Sequence, residues 1–342
     1  MSRRHWLPLL LLLPIAGIAY QRLGARRDRR RLLGRGTLID VAPGRRMYLS
    51  QMGSGDGPVV VFESGIAATS QNWVGLQRAI SSFARTVIYD RAGLGWSSPS
   101  PADRTPSNIV RELRTLLQRA GIPPPYLLVG HSFGALVARR YAAEHPADLA
   151  GIILIDAMRT ADWPPLSDAQ QGSLQRGLRL ASIATPIARF GLARLLITTF
   201  FLRSAKASSA IGKIAGSRGR EIVDRVTGEV GKMPRDVWPV IASHWSNPGF
   251  YRSLAAHIRV VPATVREMHE APPIEGIPTI VLIAANAEPH SPEALRAIAP
   301  AARQIIAEES GHWIHLDQPG LVLEAIRSMF EEIRHRDSSP AQ

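Results

Sequence analysis

The pentapeptide Gly130-His131-Ser132-Phe133-Gly134 constrains this chain more than any other stretch, because it joins the apolar run Tyr126 to Val129 to a helical run from Phe133 to Glu144. A serine between glycines at a strand-to-helix junction calls for a sharp turn. The glycines let neighbouring backbone approach closely, and the serine Oγ is pushed up beside the unpaired N–H groups that open the helix. Such a turn needs a parallel sheet with helices on both faces, and the rest of the sequence supplies one. Apolar, β-rich runs at 47–51, 58–63, 86–90, 126–130, 151–156, 279–284 and 304–307 alternate with helical stretches. The unbroken runs Val59-Val60-Val61-Phe62 and Ile152-Ile153-Leu154-Ile155 suit strands buried on both sides. Thr105-Pro106 offers an N-cap and a first-turn proline to a helix that Gly121 and Pro123 to Pro125 stop.

The rhythm breaks once. Between Asp156 and Pro278 the sequence offers no convincing strand, and 172–201 and 222–256 read as helices punctuated by prolines and glycines. At 342 residues the chain accommodates one large α/β domain with a helical insertion. The expected division is an arm at 1–46, a first core part at 47–156, a helical lid at 157–276 and a second core part at 277–342.

The formal charge of +13 belongs mostly to the arm, where residues 1–46 carry eleven arginines against Asp28 and Asp40. The remainder is nearly balanced and has no basic stripe interleaved with aromatics, so no nucleic-acid partner is expected. Trp6 to Tyr20 is a 15-residue uncharged run with Arg3 and Arg4 before it and Arg22 to Arg31 after it. That pattern fits a membrane segment lengthened by snorkelling arginines, although a spanning helix takes about 20 residues. A signal peptide is the competing reading, through a small-x-small site at Gly17-Ile18-Ala19 or the twin-arginine-like Ser2 to Leu7. Membrane association or export is therefore expected, with the side of the membrane and the oligomeric state left open.

There are no cysteines, which excludes disulfides, thiolate metal sites and a cysteine nucleophile. No histidine pair shows metal-ligand spacing, so neither metal nor cofactor is expected. A serine nucleophile needs a base, and His312, in the turn Glu309-Ser310-Gly311-His312 after the last strand, is the best of ten histidines. His131 is expected to pack beside the nucleophile, and His315 to lie partly buried or at the surface.

With these segments in order, the chain resembles the α/β-hydrolase family over residues 47–335. The resemblance rests on the serine turn, on Glu63-Ser64-Gly65 where many relatives carry His-Gly, on Asp90-Arg91-Ala92-Gly93-Leu94-Gly95-Trp96-Ser97, and on Ser310-Gly311-His312 with Asp317-Gln318-Pro319. It implies an α/β-hydrolase fold with a mostly parallel sheet of about eight strands, a lid between strands six and seven, and hydrolysis through an acyl-enzyme. By family position the backbone N–H groups of Ile66 and Phe133 would form the oxyanion hole, with Glu63 ordering that loop. The triad acid is open: Asp156 at the end of strand six is favoured, and Glu288 after strand seven is the alternative. The expected activity is that of a serine esterase or lipase-like enzyme acting on apolar esters, thioesters or amides. A cofactor-free haloperoxidase-like enzyme and a catalytically silent binding protein are the alternatives.

Overall fold

In the computed structural model, residues 7–34, 36–158, 165–201, 228–285 and 292–338 are described. Eight strands form one sheet in the order β1-β2-β4-β3-β5-β6-β7-β8. They are β1 (Thr37–Ala42), β2 (Arg45–Met52), β3 (Val59–Glu63), β4 (Thr86–Tyr89), β5 (Tyr126–His131), β6 (Leu149–Ile155), β7 (Thr279–Ala284) and β8 (Arg303–Ala307). β2 runs antiparallel to both β1 and β4, and every pairing from β4 to β8 is parallel.

The helices follow in chain order. α1 (Leu7–Leu32) precedes the sheet, and α2 (Val74–Ile80), α3 (Pro106–Arg119) and α4 (Phe133–Glu144) connect its strands. Between β6 and β7 come α5 (Asp168–Arg189), α6 (Leu192–Leu196) with a π-turn at Ile197–Phe201, α7 (Trp238–Trp245), α8 (Pro248–Arg259) and α9 (Val261–His269). α10 (Pro292–Ile298), α11 (Ile314–Asp317) and α12 (Pro319–Ser338) complete the chain. The described part of the insertion is helical, as its lack of β-rich runs implies.

Strand alternation divides the core in two. Val59 and Val61 point to the face covered by α3 and α4, where they meet Leu113, Leu117 and Leu136. Val60 and Phe62 point to the other face, against Ile80 of α2 and Ile326 and Met329 of α12. Each such fully buried side chain contributes about 1.5–3 kcal/mol of transfer free energy, which fixes the strand register, since a one-residue slip would exchange the two faces. The register in turn brings the C-terminal ends of β3, β5, β6 and β7 together on one rim, the usual place for a site in a parallel sheet.

One expectation about the arm needs correction. β1 lies inside the stretch read as arm, so the sheet begins at Thr37 rather than Met47; its alternation is half-exposed and edge-like, which left no apolar run to recognise. α1 packs on the lid so tightly that a Cβ on Gly17 would stand 2.3 Å from the Phe190 carbonyl oxygen. Arg194, in α6, is buried and donates to Gln21 Oε1 at 2.9 Å and Asp28 Oδ2 at 2.6 Å, both on α1. No single described helix is long and apolar enough to cross a membrane.

Candidate active site

The serine turn closes because two glycines admit backbone where a side chain would collide. A Cβ on Gly130 would lie 2.5 Å from the Gly134 carbonyl oxygen, and one on Gly134 would lie 2.3 Å from that of Glu63. Ser132 is held between them at φ 55°, ψ −116°, directly before the first turn of α4. Its own N–H donates to the Ile155 carbonyl at 2.9 Å, and its carbonyl accepts from Met158 at 3.2 Å. Among the described residues, non-glycine positive φ occurs at Ala67, Ser132 and Asp156 alone. Each such residue costs about 1–3 kcal/mol, so the fold holds strain in all three places along the rim that carries the candidate site.

Asp156 leaves β6 with φ 40° and is tied to the neighbouring strand. Its N–H donates to the Leu282 carbonyl at 2.8 Å, and Oδ1 accepts from the Ala284 N–H at 3.4 Å. Oδ2 then lies 2.6 Å from His312 Nδ1. A neutral imidazole in that contact must carry its proton on Nδ1, which leaves Nε2 with a lone pair able to accept a proton. The sequence alternative Glu288 lies outside the described residues.

The turn that carries His312 is fastened on both sides. Asp317 Oδ2 accepts from Ser310 Oγ and Gly311 N–H, each at 3.1 Å, while its Oδ1 meets Lys232 of the lid. Burial opposes ionisation of Asp317, but these donors outweigh it and hold the carboxyl below its ordinary range. On the other side His131 Nε2 lies 2.7 Å from the His312 carbonyl oxygen, a contact that only a ring N–H can make. Burial, reinforced by the neighbouring His315 and His312, pushes the His131 pKa well below the usual value, so this ring is a neutral donor. It packs beside Ser132 and also restrains the histidine turn. His315 proves fully buried: it stacks on Trp73 at 4.3 Å, and burial pushes its pKa down to about 3.

Behind the loop after β3 stands a device that sequence reasoning missed. Arg91 donates from Nη2 to the Ser64 carbonyl at 2.7 Å and also to the Gly65 carbonyl. Its guanidinium is paired with Glu63 at 3.2 Å, both side chains being at most 2% exposed, and the same Glu63 accepts from the Tyr89 hydroxyl. Burial pushes Glu63 up and Arg91 down, and their mutual attraction opposes both shifts. Glu63 thus orders the loop through Arg91 as well as through the adjoining Ser64 backbone. A buried arginine directly after a strand-ending aspartate was the available signal.

The ordered loop places Ile66 beside the serine turn: a Cβ on its neighbour Gly65 would stand 3.6 Å from Ser132 Cβ. Phe133 is the first residue of α4, where an N–H has no acceptor within the helix and the helix dipole is positive. Ile66 also walls a cavity of about 490 Å³, together with Trp313, next to His312, and the lid residues Ile197, Met233, Ile241 and Leu254. The surroundings of the site are therefore apolar on the lid side. Among the described residues no cluster of His, Asp and Glu has the arrangement of a metal site.

Comparison with known proteins agrees with this architecture. A family model described as alpha/beta hydrolase fold matches residues 58–319. The chain belongs to that family. YqjL of Bacillus subtilis is 40% identical over 100 residues, covering 29% of this chain and 40% of that protein. YbdG of the same organism is 34% identical over 149 residues, covering 43% of this chain and 46% of that protein. The chain thus spans less than half the length of these curated relatives in either match. Among solved structures, an esterase from Thermogutta terrifontis aligns with a TM-score of 0.56 at 20% identity, covering 87% of this chain and 98% of that one. The Cif epoxide hydrolase from Acinetobacter nosocomialis aligns with a TM-score of 0.63 at 16% identity, covering 91% and 96%. At such identities the likeness is one of fold.

Proposed function

We propose that the protein is a serine hydrolase that cleaves carboxylic esters, and by the same chemistry thioesters or amides, of apolar small molecules at a membrane. The observation that carries this reading is the 2.6 Å contact between His312 Nδ1 and Asp156, on the same rim as the strained Ser132. Ser132 Oγ attacks the carbonyl carbon while His312 Nε2 takes its proton, and Asp156 stabilises the imidazolium that results. The oxyanion is held by the Ile66 and Phe133 N–H groups, each worth a few kcal/mol in the transition state. Collapse of the tetrahedral intermediate expels the alcohol, which receives the proton from His312. Water, deprotonated by the same Nε2, then releases the acid and restores the serine.

An epoxide hydrolase shares the fold but needs a carboxylate where this chain has Ser132, so ester chemistry is the better reading. Haloperoxidase-like turnover would use the same three residues, with peroxide in place of water, and a silent binding protein would use none of them.

The test is turnover of p-nitrophenyl esters of increasing acyl length by the wild type and by Ser132→Ala. The apolar cavity favours longer acyl chains, with kcat/KM rising roughly tenfold per two methylenes until the pocket fills, from about 0.8 kcal/mol per methylene. Loss of turnover in Ser132→Ala is expected. A wild type inert on every ester, or turnover unchanged in Ser132→Ala, would overturn the reading.

A further inference from the structure

Most of the exposed large apolar side chains among the described residues lie on α1 and the first lid helices. Leu180, Ile183 and Ile187 of α5 and Phe190 directly after it recur at helical spacing and form one stripe. Leu192, Leu195 and Leu196 of α6 continue it past the tight turn at Gly191. On α1 the side chains Leu13, Tyr20 and Leu23 flank the line of Gly17, Gln21 and Gly24 that packs against this turn, and so extend the same surface. These ten side chains are between 38% and 64% exposed, although ordinary soluble proteins scatter such residues singly. Outside these helices, Ile306 is the one other large apolar side chain as exposed among the described residues.

Charge says what covers the face. Within residues 13–32 and 176–199 the single acid is Asp28, which Arg194 already neutralises at 2.6 Å. Around it Arg22, Arg26, Arg27 and Arg29 to Arg31 on α1, and Arg176, Arg179 and Arg189 on α5, are all exposed. A second copy of this chain would set arginine against arginine with no acid between them. An anionic surface meets no such repulsion, and arginine stems can lie along acyl chains while their heads stay at the phosphates. Beside Tyr20 a hollow of about 360 Å³, walled by Arg27 and Arg31, offers room for a headgroup.

We propose that the α1–α5–α6 face lies flat on an anionic bilayer, with its leucines and Ile183 in the acyl boundary and its arginines at the lipid phosphates. α1 then belongs to the lid and does not cross the membrane. Ile197, the first residue after α6, walls the cavity that Ile66 and Trp313 border beside the candidate site, so the docking face and that cavity adjoin and an apolar substrate reaches the site from the lipid side. This inference rests on the membrane half of the proposed function and is independent of the hydrolytic half.

The experiment is vesicle co-sedimentation of the full chain carrying Ser132→Ala, so that no lipid is consumed, on phosphatidylcholine vesicles with and without one quarter phosphatidylglycerol. Binding to the mixed vesicles is expected to be at least tenfold tighter than to the neutral ones. Adding Ile183→Glu and Leu192→Glu should weaken it at least tenfold, and Arg27→Glu with Arg31→Glu should abolish the preference for the anionic lipid, with thermal melts unchanged by circular dichroism. Wild-type binding by the Ile183→Glu/Leu192→Glu protein would overturn the docking face and leave attachment to the apolar N-terminus alone. Absence of binding to either vesicle would overturn both the face and the membrane half of the proposed function, while ester turnover would still judge the other half. A dimer on size-exclusion that dissolves in the Ile183→Glu/Leu192→Glu variant, without vesicle binding, would assign the face to a second copy.

Discussion

Asp156 has both its carboxylate oxygens committed, one to the Ala284 N–H and one to His312. Asn at this position retains the shape but can present its NH₂ to His312 Nδ1, which turns the imidazole to the wrong tautomer. Asp156→Asn is therefore expected to lower kcat by about 10⁴ with little change in melting temperature, whereas Glu288→Gln should stay within about threefold of wild type. Steady-state kinetics of the two variants on one ester check this, and the reverse ranking would move the acid to Glu288. The serine and the histidine were legible in the sequence because each sits in a turn of distinctive composition. The acid was favoured at Asp156 but left open, since a carboxylate after a strand looks much the same at either position. Only the parallel register that sets Ile155 beside Leu282 carries Asp156 to the His312 turn.

At the scale of elements, the loop after β3 owes its shape to Arg91, which binds two successive carbonyls and is itself held by Glu63. Arg91→Met would leave the Glu63 charge buried without a partner, at a cost of about 3–5 kcal/mol, and would free the loop that carries the Ile66 N–H. The expected result is a lower melting temperature and a kcat reduced by roughly 10- to 100-fold, since misplaced donors stabilise the oxyanion poorly. Adding Glu63→Gln to Arg91→Met should recover much of the stability and little of the kcat. Recovery of both together would reduce the pair to a structural role. The expectation that Glu63 orders this loop came from its place in the chain, but the route through Arg91 depends on a contact across 28 residues that no local pattern encodes. β1 escaped notice for a different reason: an edge strand with half-exposed side chains lacks the apolar run by which the buried strands are recognised.

For the whole molecule, burial holds His131, His244, His257 and His315 neutral, each with its pKa pushed down, His315 to about 3. Unfolded, they titrate near 6.5, so below that pH the unfolded chain binds more protons than the folded one. Stability is expected to fall with pH below about 6.5, by about 1.4 kcal/mol per unit for each histidine until its folded value is reached. Urea midpoints at pH 7, 6 and 5 measure this, and a flat series would contradict it. Deleting residues 1–35 would strip the buried Arg194 of Gln21 and Asp28, with an expected loss of about 5 °C in melting temperature that Arg194→Met in the shortened chain should largely restore. Composition marked the arm as apolar and basic, but its packing on the lid rests on three glycines whose contacts lie more than 150 residues away along the chain. The central claim, that Ser132 is a nucleophile activated by His312 and Asp156, is tested most directly by mass spectrometry after treatment with a fluorophosphonate. One adduct per chain on the peptide carrying Ser132, formed at least a hundredfold more slowly in Asp156→Asn, is the expected result; a wild-type protein that stays unlabelled, or is labelled at another serine, would contradict it.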